Sequence, residues 1–112
     1  MDVFSRKERL REQMLQTRSA LSALERRRLS EAVCQNLAAL PEIAAARTVL
    51  TYMPVGGEAD VGTLNEFLRE RGAAVAFPVC GDDGTMEAYV PETPDAFVPG
   101  AYGIPAPDPR RA

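Results

Sequence analysis

Apolar side chains at helical spacing predict a first helix near the start of the chain. They recur every three or four residues and share one helical face, formed by Leu10, Met14, Thr17 and Leu21. Ser5 and Glu8 have the spacing of a capping box, which marks the start of this helix.

A second helix is predicted by a repeat of the same capping signal, Ser22 followed by Glu25. Its apolar face consists of Leu29, Ala32, Val33, Leu37 and Leu40. This helix ends near Leu40, because Pro41 disfavours the helical conformation for the residue before it. The first forty residues therefore predict a helical hairpin.

The middle of the chain alternates between strand and helix patterns. The stretch TVLTYM, residues 48–53, is almost wholly apolar, which is typical of a strand buried on both faces. Asp60 predicts the N-cap of a helix that ends at Gly72, and AAVAFPV, residues 73–79, predicts a second buried strand. Such a βαβ unit has parallel strands joined by a right-handed crossover.

The C-terminal third predicts one more strand and an irregular segment. CGDDG (80–84) is a turn and TMEAYV (85–90) alternates like a third strand. Residues 91–112 hold six of the nine prolines, so we expect a covering segment without helix or strand. The prediction is a single α/β domain over residues 1–112, Rossmann-like, with a helical hairpin before the βαβ unit and an incomplete sheet.

Composition and charge exclude several classes of protein. The 112 residues are 46% apolar and 26% charged, with net charge −3, as in one globular domain. No membrane-length apolar run or secretory signal is present, so we expect a cytoplasmic protein without a membrane partner. Residues 1–50 carry a charge of +3, but their acids are interleaved and Phe4 is their one aromatic, which argues against nucleic-acid binding.

The chain contains no histidine, which removes Ser-His-Asp, Cys-His and His-metal chemistry. Cys34 and Cys80 lack metal-ligand spacing, so we expect reduced thiols and no protein metal site. Carboxylates, cations and backbone groups remain as candidates.

The single lysine, Lys7, lies one helical turn before Arg11. Like charges at this spacing repel each other. Either the pair belongs to a solvated face together with Glu8 and Glu12, or the two cations bind a polyphosphate.

Two segments further along the chain each have a ligand-binding and a purely structural interpretation. In YMPVGGEAD, two glycines allow close approach to a ligand and Glu58 is an acceptor at the carboxyl end of a strand. The alternative is an ordinary loop in which Asp60 caps a helix and Glu58 is in water. The turn GAYGIPAP (100–107) presents Tyr102, either to a ligand or as part of a covering loop.

Four motifs in this order resemble the N-terminal portion of the 5-formyltetrahydrofolate cyclo-ligase family, also called methenyltetrahydrofolate synthetase. They are RKERLR, TYMPVGGEAD, AVAFPVCGDDGTMEAYV and PGAYGIPAP, and the resemblance runs from about Arg6 to Pro107. It implies a magnesium- and ATP-dependent ligase that converts 5-formyltetrahydrofolate into 5,10-methenyltetrahydrofolate in one-carbon metabolism. ATP would phosphorylate the formyl oxygen, nitrogen 10 would attack the activated carbon, and phosphate would leave.

The resemblance also implies roles for individual residues. Lys7 and Arg11 match the family's early Lys-x-x-x-Arg element and would contact the ATP phosphates. Met53 would line the folate site, Glu58 would bind the substrate, and Tyr102 would pack against the folate.

One part of the family pattern has no counterpart here. In the family, a glycine-rich basic loop ending in Gly-Tyr-Tyr-Asp follows the Gly-Ile-x-x-Pro turn and holds phosphates and magnesium. We therefore expect a C-terminally truncated cyclo-ligase-like domain. The alternatives are an inactive module that binds folate or nucleotide, or an interaction module that self-associates through an open sheet edge.

Overall fold

A computed structural model describes residues 2–112. The α-helices in this range are Val3–Ser19 (α1), Ala23–Ala39 (α2), Pro41–Ala45 (α3) and Gly62–Glu70 (α4). The strands are Thr48–Leu50 (β1), Ala74–Cys80 (β2), Met86–Tyr89 (β3), Phe97–Pro99 (β4) and Pro105–Pro107 (β5). Short 3-10 turns cover Ala101–Gly103 and Pro109–Arg111. No helix in the described range is long and apolar enough to cross a membrane.

The main sheet has the order β1-β2-β3 and is mixed. β1 and β2 are parallel, with Thr48 opposite Ala74, and α4 connects them. β2 and β3 are antiparallel, with Phe77 opposite Tyr89. The predicted α/β class, the βαβ unit and the third strand are confirmed.

The start of α1 differs from the prediction. The N-cap is Asp2, whose Oδ1 accepts the N–H of Ser5 at 2.7 Å, so the predicted capping box of Ser5 and Glu8 is wrong. The carboxylate of Asp2 is a strong acceptor, and its charge suits the positive end of the helix.

The second capping box is confirmed. Ser22 Oγ accepts the N–H of Glu25, Glu25 Oε1 accepts the N–H of Ser22, and both distances are 3.1 Å. α2 ends at Ala39, as expected from Pro41. Pro41 itself begins α3, because the first position of a helix needs no N–H donor.

The apolar stripe of α1 is not covered by the rest of the described chain. Leu10 is 56% exposed and Met14 is 50% exposed, and α1 has no buried residue. One hydrogen bond between the two long helices runs from Arg26 Nη2 to the Arg18 carbonyl oxygen, at 3.2 Å. The predicted helical hairpin therefore has little shared packing on the α1 side.

The core lies between α4, α2 and the central strand. Its buried members are Cys34, Leu64, Leu68, Val75 and Phe77. Three consecutive residues of β2 are buried, as predicted for a strand covered on both faces. Phe67, by contrast, is 46% exposed and is not part of this cluster.

Two expectations around this core are wrong in detail. β1 covers Thr48–Leu50 rather than residues 48–53, and Leu50 is 55% exposed, because β1 lies at an edge of the sheet. α4 has Val61 as its N-cap, although Asp60 Oδ1 still accepts the N–H of Gly62 at 2.9 Å. The helix ends as predicted before Gly72, which has φ of 95°.

The proline-rich segment contains two strands, which contradicts the expectation that it has none. β4 and β5 are antiparallel, with Pro99 opposite Pro105. The N–H of Asp108 donates to the Ala96 carbonyl, and the N–H of Gly100 donates to the Ile104 carbonyl. In an antiparallel pair of strands, residue pairs with and without backbone hydrogen bonds alternate. Given these two hydrogen bonds, the prolines of β4 and β5 fall in the pairs without hydrogen bonds, where no backbone N–H is needed.

Residues 91–112 pack on the main sheet through an aromatic pair. Phe97 meets Phe77 edge to face, with ring centroids 5.1 Å apart. Ala96 and Pro107 are fully buried beside this contact. The segment thus adds to the core that α4 and β2 form.

Leu68→Ala should lower the free energy of unfolding by about 2–5 kcal/mol, because Leu68 is 0% exposed and its truncation leaves a cavity. Urea unfolding curves would measure the change. The matched control is Leu29→Ala, since Leu29 is 53% exposed and its truncation should change stability by at most about 0.5 kcal/mol. Equal effects of the two changes would contradict the assignment of the core.

Asp108→Asn should make stability less dependent on pH in the acid range. The backbone N–H and the guanidinium of Arg110 donate to the Asp108 carboxylate and hold its pKa below the ordinary value of 3.8. This stabilisation is complete above the ordinary pKa and is lost as pH falls through the lowered pKa. Urea midpoints of wild type and variant should therefore converge on acidification. Asp82→Asn, in an exposed turn, is the control, and an identical pH profile for wild type and Asp108→Asn would contradict the prediction.

Candidate functional site

A groove of about 460 Å³ runs along α1 and has cations along its length. Its lining consists of Lys7, Leu10, Arg11, Met14, Leu15 and Arg18. On a helix that turns by roughly 100° per residue, the three cations fall within about 40° of one another. The structure therefore brings Lys7 and Arg11 together on one face and adds Arg18, which the sequence analysis did not select.

The cations of the groove differ in their partners. Arg11 Nη1 forms an ion pair with Glu8 Oε1 one turn away, and both side chains are largely exposed. Lys7 has no carboxylate partner among residues 2–112. Because only one of the three cations has a carboxylate partner in the described range, the groove keeps a positive net charge.

The loop after β1 is closed by the carboxylate of Glu58. Glu58 Oε1 accepts the N–H of Val55 at 2.9 Å, and the Glu58 N–H donates to the Val55 carbonyl at 3.1 Å. Gly56 and Gly57 turn the chain between them with φ of 57° and 82°. One carboxylate oxygen of Glu58, the predicted substrate-binding residue, thus accepts a hydrogen bond within the loop.

Tyr52 holds the other end of this loop. Its hydroxyl donates to the Ala59 carbonyl at 2.6 Å. Burial and the nearby Glu58 charge raise the pKa of Tyr52, which keeps the hydroxyl protonated and able to donate.

α2 also holds the loop in place. The N–H of Asp60 donates to Ser30 Oγ at 2.9 Å, and Cys34 Sγ lies 3.4 Å from the Asp60 carbonyl oxygen. The loop is therefore attached to three elements, β1, α2 and α4, which gives Glu58 a defined position.

Arg26 connects the loop to α1. A Cβ placed on Gly57 would lie 3.7 Å from the guanidinium carbon of Arg26, so that guanidinium packs directly against the glycine. Its Nη2 donates to the Arg18 carbonyl. The predicted phosphate-binding helix and the predicted folate-binding loop are in this way joined by one side chain.

A larger cleft of about 930 Å³ lies between α4, β2 and residues 90–97. This volume is within the range of small-molecule sites. Met53 contributes to its lining, together with the polar residues Asp60, Asn65, Glu66, Arg69 and Glu92. The sequence analysis assigned no role to the polar face of α4, although Glu66 and Arg69 have the spacing of a helical ion pair and form one at 3.0 Å.

The predicted site residues are distributed over separate places. Lys7 and Arg11 lie in the groove on α1, Met53 in the cleft, and Glu58 in the loop between β1 and α4. Tyr102 lines neither hollow, is 94% exposed and has φ of 59°. The roles of all five residues in ligand binding remain predictions.

Magnesium has no evident site among the residues described. Across residues 2–112, no group of three or more His, Cys, Asp or Glu side chains is arranged to hold a metal ion. No step below is assigned to a protein-bound magnesium ion.

Comparison with known proteins identifies relatives. The profile of the 5-formyltetrahydrofolate cyclo-ligase family matches residues 3–112. The NMR structure of 5,10-methenyltetrahydrofolate synthetase from Aquifex aeolicus is similar, with 35% identity and a TM-score of 0.72, over 90% of this chain and 51% of that one. A search of functionally curated proteins gave no match.

A second similar structure is the 5,10-methenyltetrahydrofolate synthetase of Mycoplasma pneumoniae. The identity is 31% and the TM-score 0.67, over 78% of this chain and 54% of that one. The chain spans about half the length of both solved relatives. The family profile and the two structures agree with the four motifs found in the sequence, and the chain belongs to the 5-formyltetrahydrofolate cyclo-ligase family.

Proposed function

We propose that this chain acts in the ATP-dependent conversion of 5-formyltetrahydrofolate into 5,10-methenyltetrahydrofolate, with release of ADP and phosphate. The observation that carries the proposal is the match of the family profile to residues 3–112. The reaction uses small polar substrates, and we place it in the cytoplasm.

The chemistry has two steps. The formyl oxygen attacks the terminal phosphorus of ATP, the bond to the bridging oxygen breaks, and ADP leaves. Nitrogen 10 then attacks the activated formyl carbon and releases its proton to water, and the bond from that carbon to the phosphorylated oxygen breaks. Phosphate leaves and a methenyl bridge between the two nitrogens remains.

The cations of the groove on α1 suit the first step. Negative charge spreads over the oxygens of a phosphoryl group in transfer, and fixed cations stabilise it. Lys7 supplies a point charge, and Arg11 supplies a planar fork that matches two phosphate oxygens. An anion in the groove would also relieve the repulsion between the two cations.

The folate side of the proposal rests on the loop between β1 and α4. Met53, after β1, supplies an apolar wall of the cleft. In the proposal the carboxylate of Glu58 accepts hydrogen bonds from the substrate. The exposed ring of Tyr102 is accessible to pack against the folate.

Magnesium enters the proposal as a component of the reaction mixture, together with ATP. It is given no ligand among residues 2–112, since the described side chains do not cluster around a metal position.

A second candidate function is binding of folate or nucleotide without turnover. The observation that favours it is that the five predicted site residues lie in separate places in the described structure. Interaction through the outer edge of β1 is a further variant of this candidate, since β1 has a partner strand on one side in the described sheet.

The first test is product formation by the purified chain with 5-formyltetrahydrofolate, ATP and magnesium, followed by absorbance of the methenyl product. Replacing both Lys7 and Arg11 by Ala should lower the rate at least about a hundredfold, because donors to the transferring charge are removed. Arg9→Ala is the control, since it removes a charge from another face of α1. A folded chain without product would exclude turnover and favour the second candidate.

Glu58→Gln should weaken binding of 5-formyltetrahydrofolate by about tenfold, the usual effect of losing a charge-assisted hydrogen bond. Glutamine keeps an acceptor for the Val55 N–H, so the loop should retain its shape. Calorimetric titration would measure the affinity. Glu31→Gln, on the exposed face of α2, is the matched control. Equal affinities of wild type and Glu58→Gln would remove Glu58 from the site.

A further inference from the structure

We propose that Arg18 is a third phosphate-binding residue of the groove on α1. The four motifs assign it no role. The inference rests on the proposed function, because it extends the site of Lys7 and Arg11 toward the loop that contains Gly57.

The position of Arg18 on α1 supports this role. It follows Lys7 by eleven residues, which is about three helical turns, so the two side chains leave the same face. Arg18 lies roughly 10 Å beyond Arg11 along the helix axis. Side chains of a helix tilt toward its N-terminus, and the long arginine side chain therefore extends back along the groove toward Arg11.

The hydrogen-bonding state of Arg18 indicates an absent acceptor. Its Nε is buried and has no hydrogen-bond partner among the described residues. A guanidinium keeps its charge at all physiological pH values, and a buried donor without an acceptor is costly. An anionic ligand in the groove would supply that acceptor.

The rest of the groove attracts anions as well. Its lining contains three cations and three apolar residues, and it contains no carboxylate. The nearby carboxylate of Glu8 is paired with Arg11. A nucleotide polyphosphate, which carries several negative charges in a row, matches this sequence of positive side chains.

Arg18 also lies on the side of the groove that leads to the loop. Its carbonyl oxygen accepts from the Arg26 guanidinium, which packs against Gly57. The end of α1 that contains Arg18 is thus the end that the Arg26 side chain connects to the loop of the predicted folate site.

The test is calorimetric titration of the full chain with ATP and, separately, with inorganic tripolyphosphate. Arg18→Gln should weaken binding of both ligands by about tenfold, because a charge-assisted hydrogen bond is lost. Arg9→Gln removes the same charge from another face of α1 and should leave both affinities within about twofold. Arg18→Lys keeps the charge but lacks Nε, and its affinities should lie between those of wild type and Arg18→Gln.

The possible outcomes separate this inference from the proposed function. If the Lys7 and Arg11 double alanine variant loses binding while Arg18→Gln does not, the inference is wrong and the proposed function stands. If wild type binds neither ligand, the nucleotide site and the inference fail together. In a parallel titration with 5-formyltetrahydrofolate, a loss of affinity in Arg18→Gln that is confined to this ligand would overturn the inference and assign Arg18 to the substrate carboxylates instead. Circular dichroism would show whether Arg18→Gln folds. If it does not fold, Arg18→Lys is the variant to measure, and wild-type affinities in folded Arg18→Lys would contradict the role of the Arg18 Nε.

Discussion

The contact between α4 and the central strand β2 is the constraint on which the rest of the structure depends. Leu64 and Leu68 of α4 pack with Val75 and Phe77 of β2 in one buried cluster. This cluster sets the position of the helix that begins directly after the candidate loop. Because β1 pairs with β2 in parallel, the loop leaves the sheet and enters α4 along a defined path. The position of Glu58 is therefore a consequence of hydrophobic packing some distance away.

Features that depend on a few neighbouring residues were predictable from the sequence. Ser22 and Glu25 form a capping box because each supplies what the other's backbone needs. β2 is apolar throughout, as is typical of a strand covered on both faces, and three consecutive residues of it are buried. The prediction for α1 was wrong at its start, because an aspartate three residues before Ser5 is a better acceptor than the serine itself.

Features that depend on pairing partners were not predictable in the same way. A count of prolines suggested an irregular C-terminal segment, but a proline is tolerated wherever its strand needs no donor. Burial of β1 depended on whether a further strand lies beside it. In the candidate site, the shared helical face of Lys7 and Arg11 was predictable from their spacing. The contact of Arg26 with Gly57 was not, because it joins residues far apart in the chain and leaves no periodic signal in the sequence.

The backbone of Gly57 restricts how this loop can vary in sequence. Its φ of 82° lies in the left-handed region, which favours glycine. The space beside it is not the restriction, because a Cβ at position 57 would lie 3.7 Å from the guanidinium carbon of Arg26, at ordinary van der Waals distance. Asparagine tolerates the left-handed conformation better than most side chains, and it is therefore the replacement for Gly57 expected among homologues, whichever residue occupies position 26.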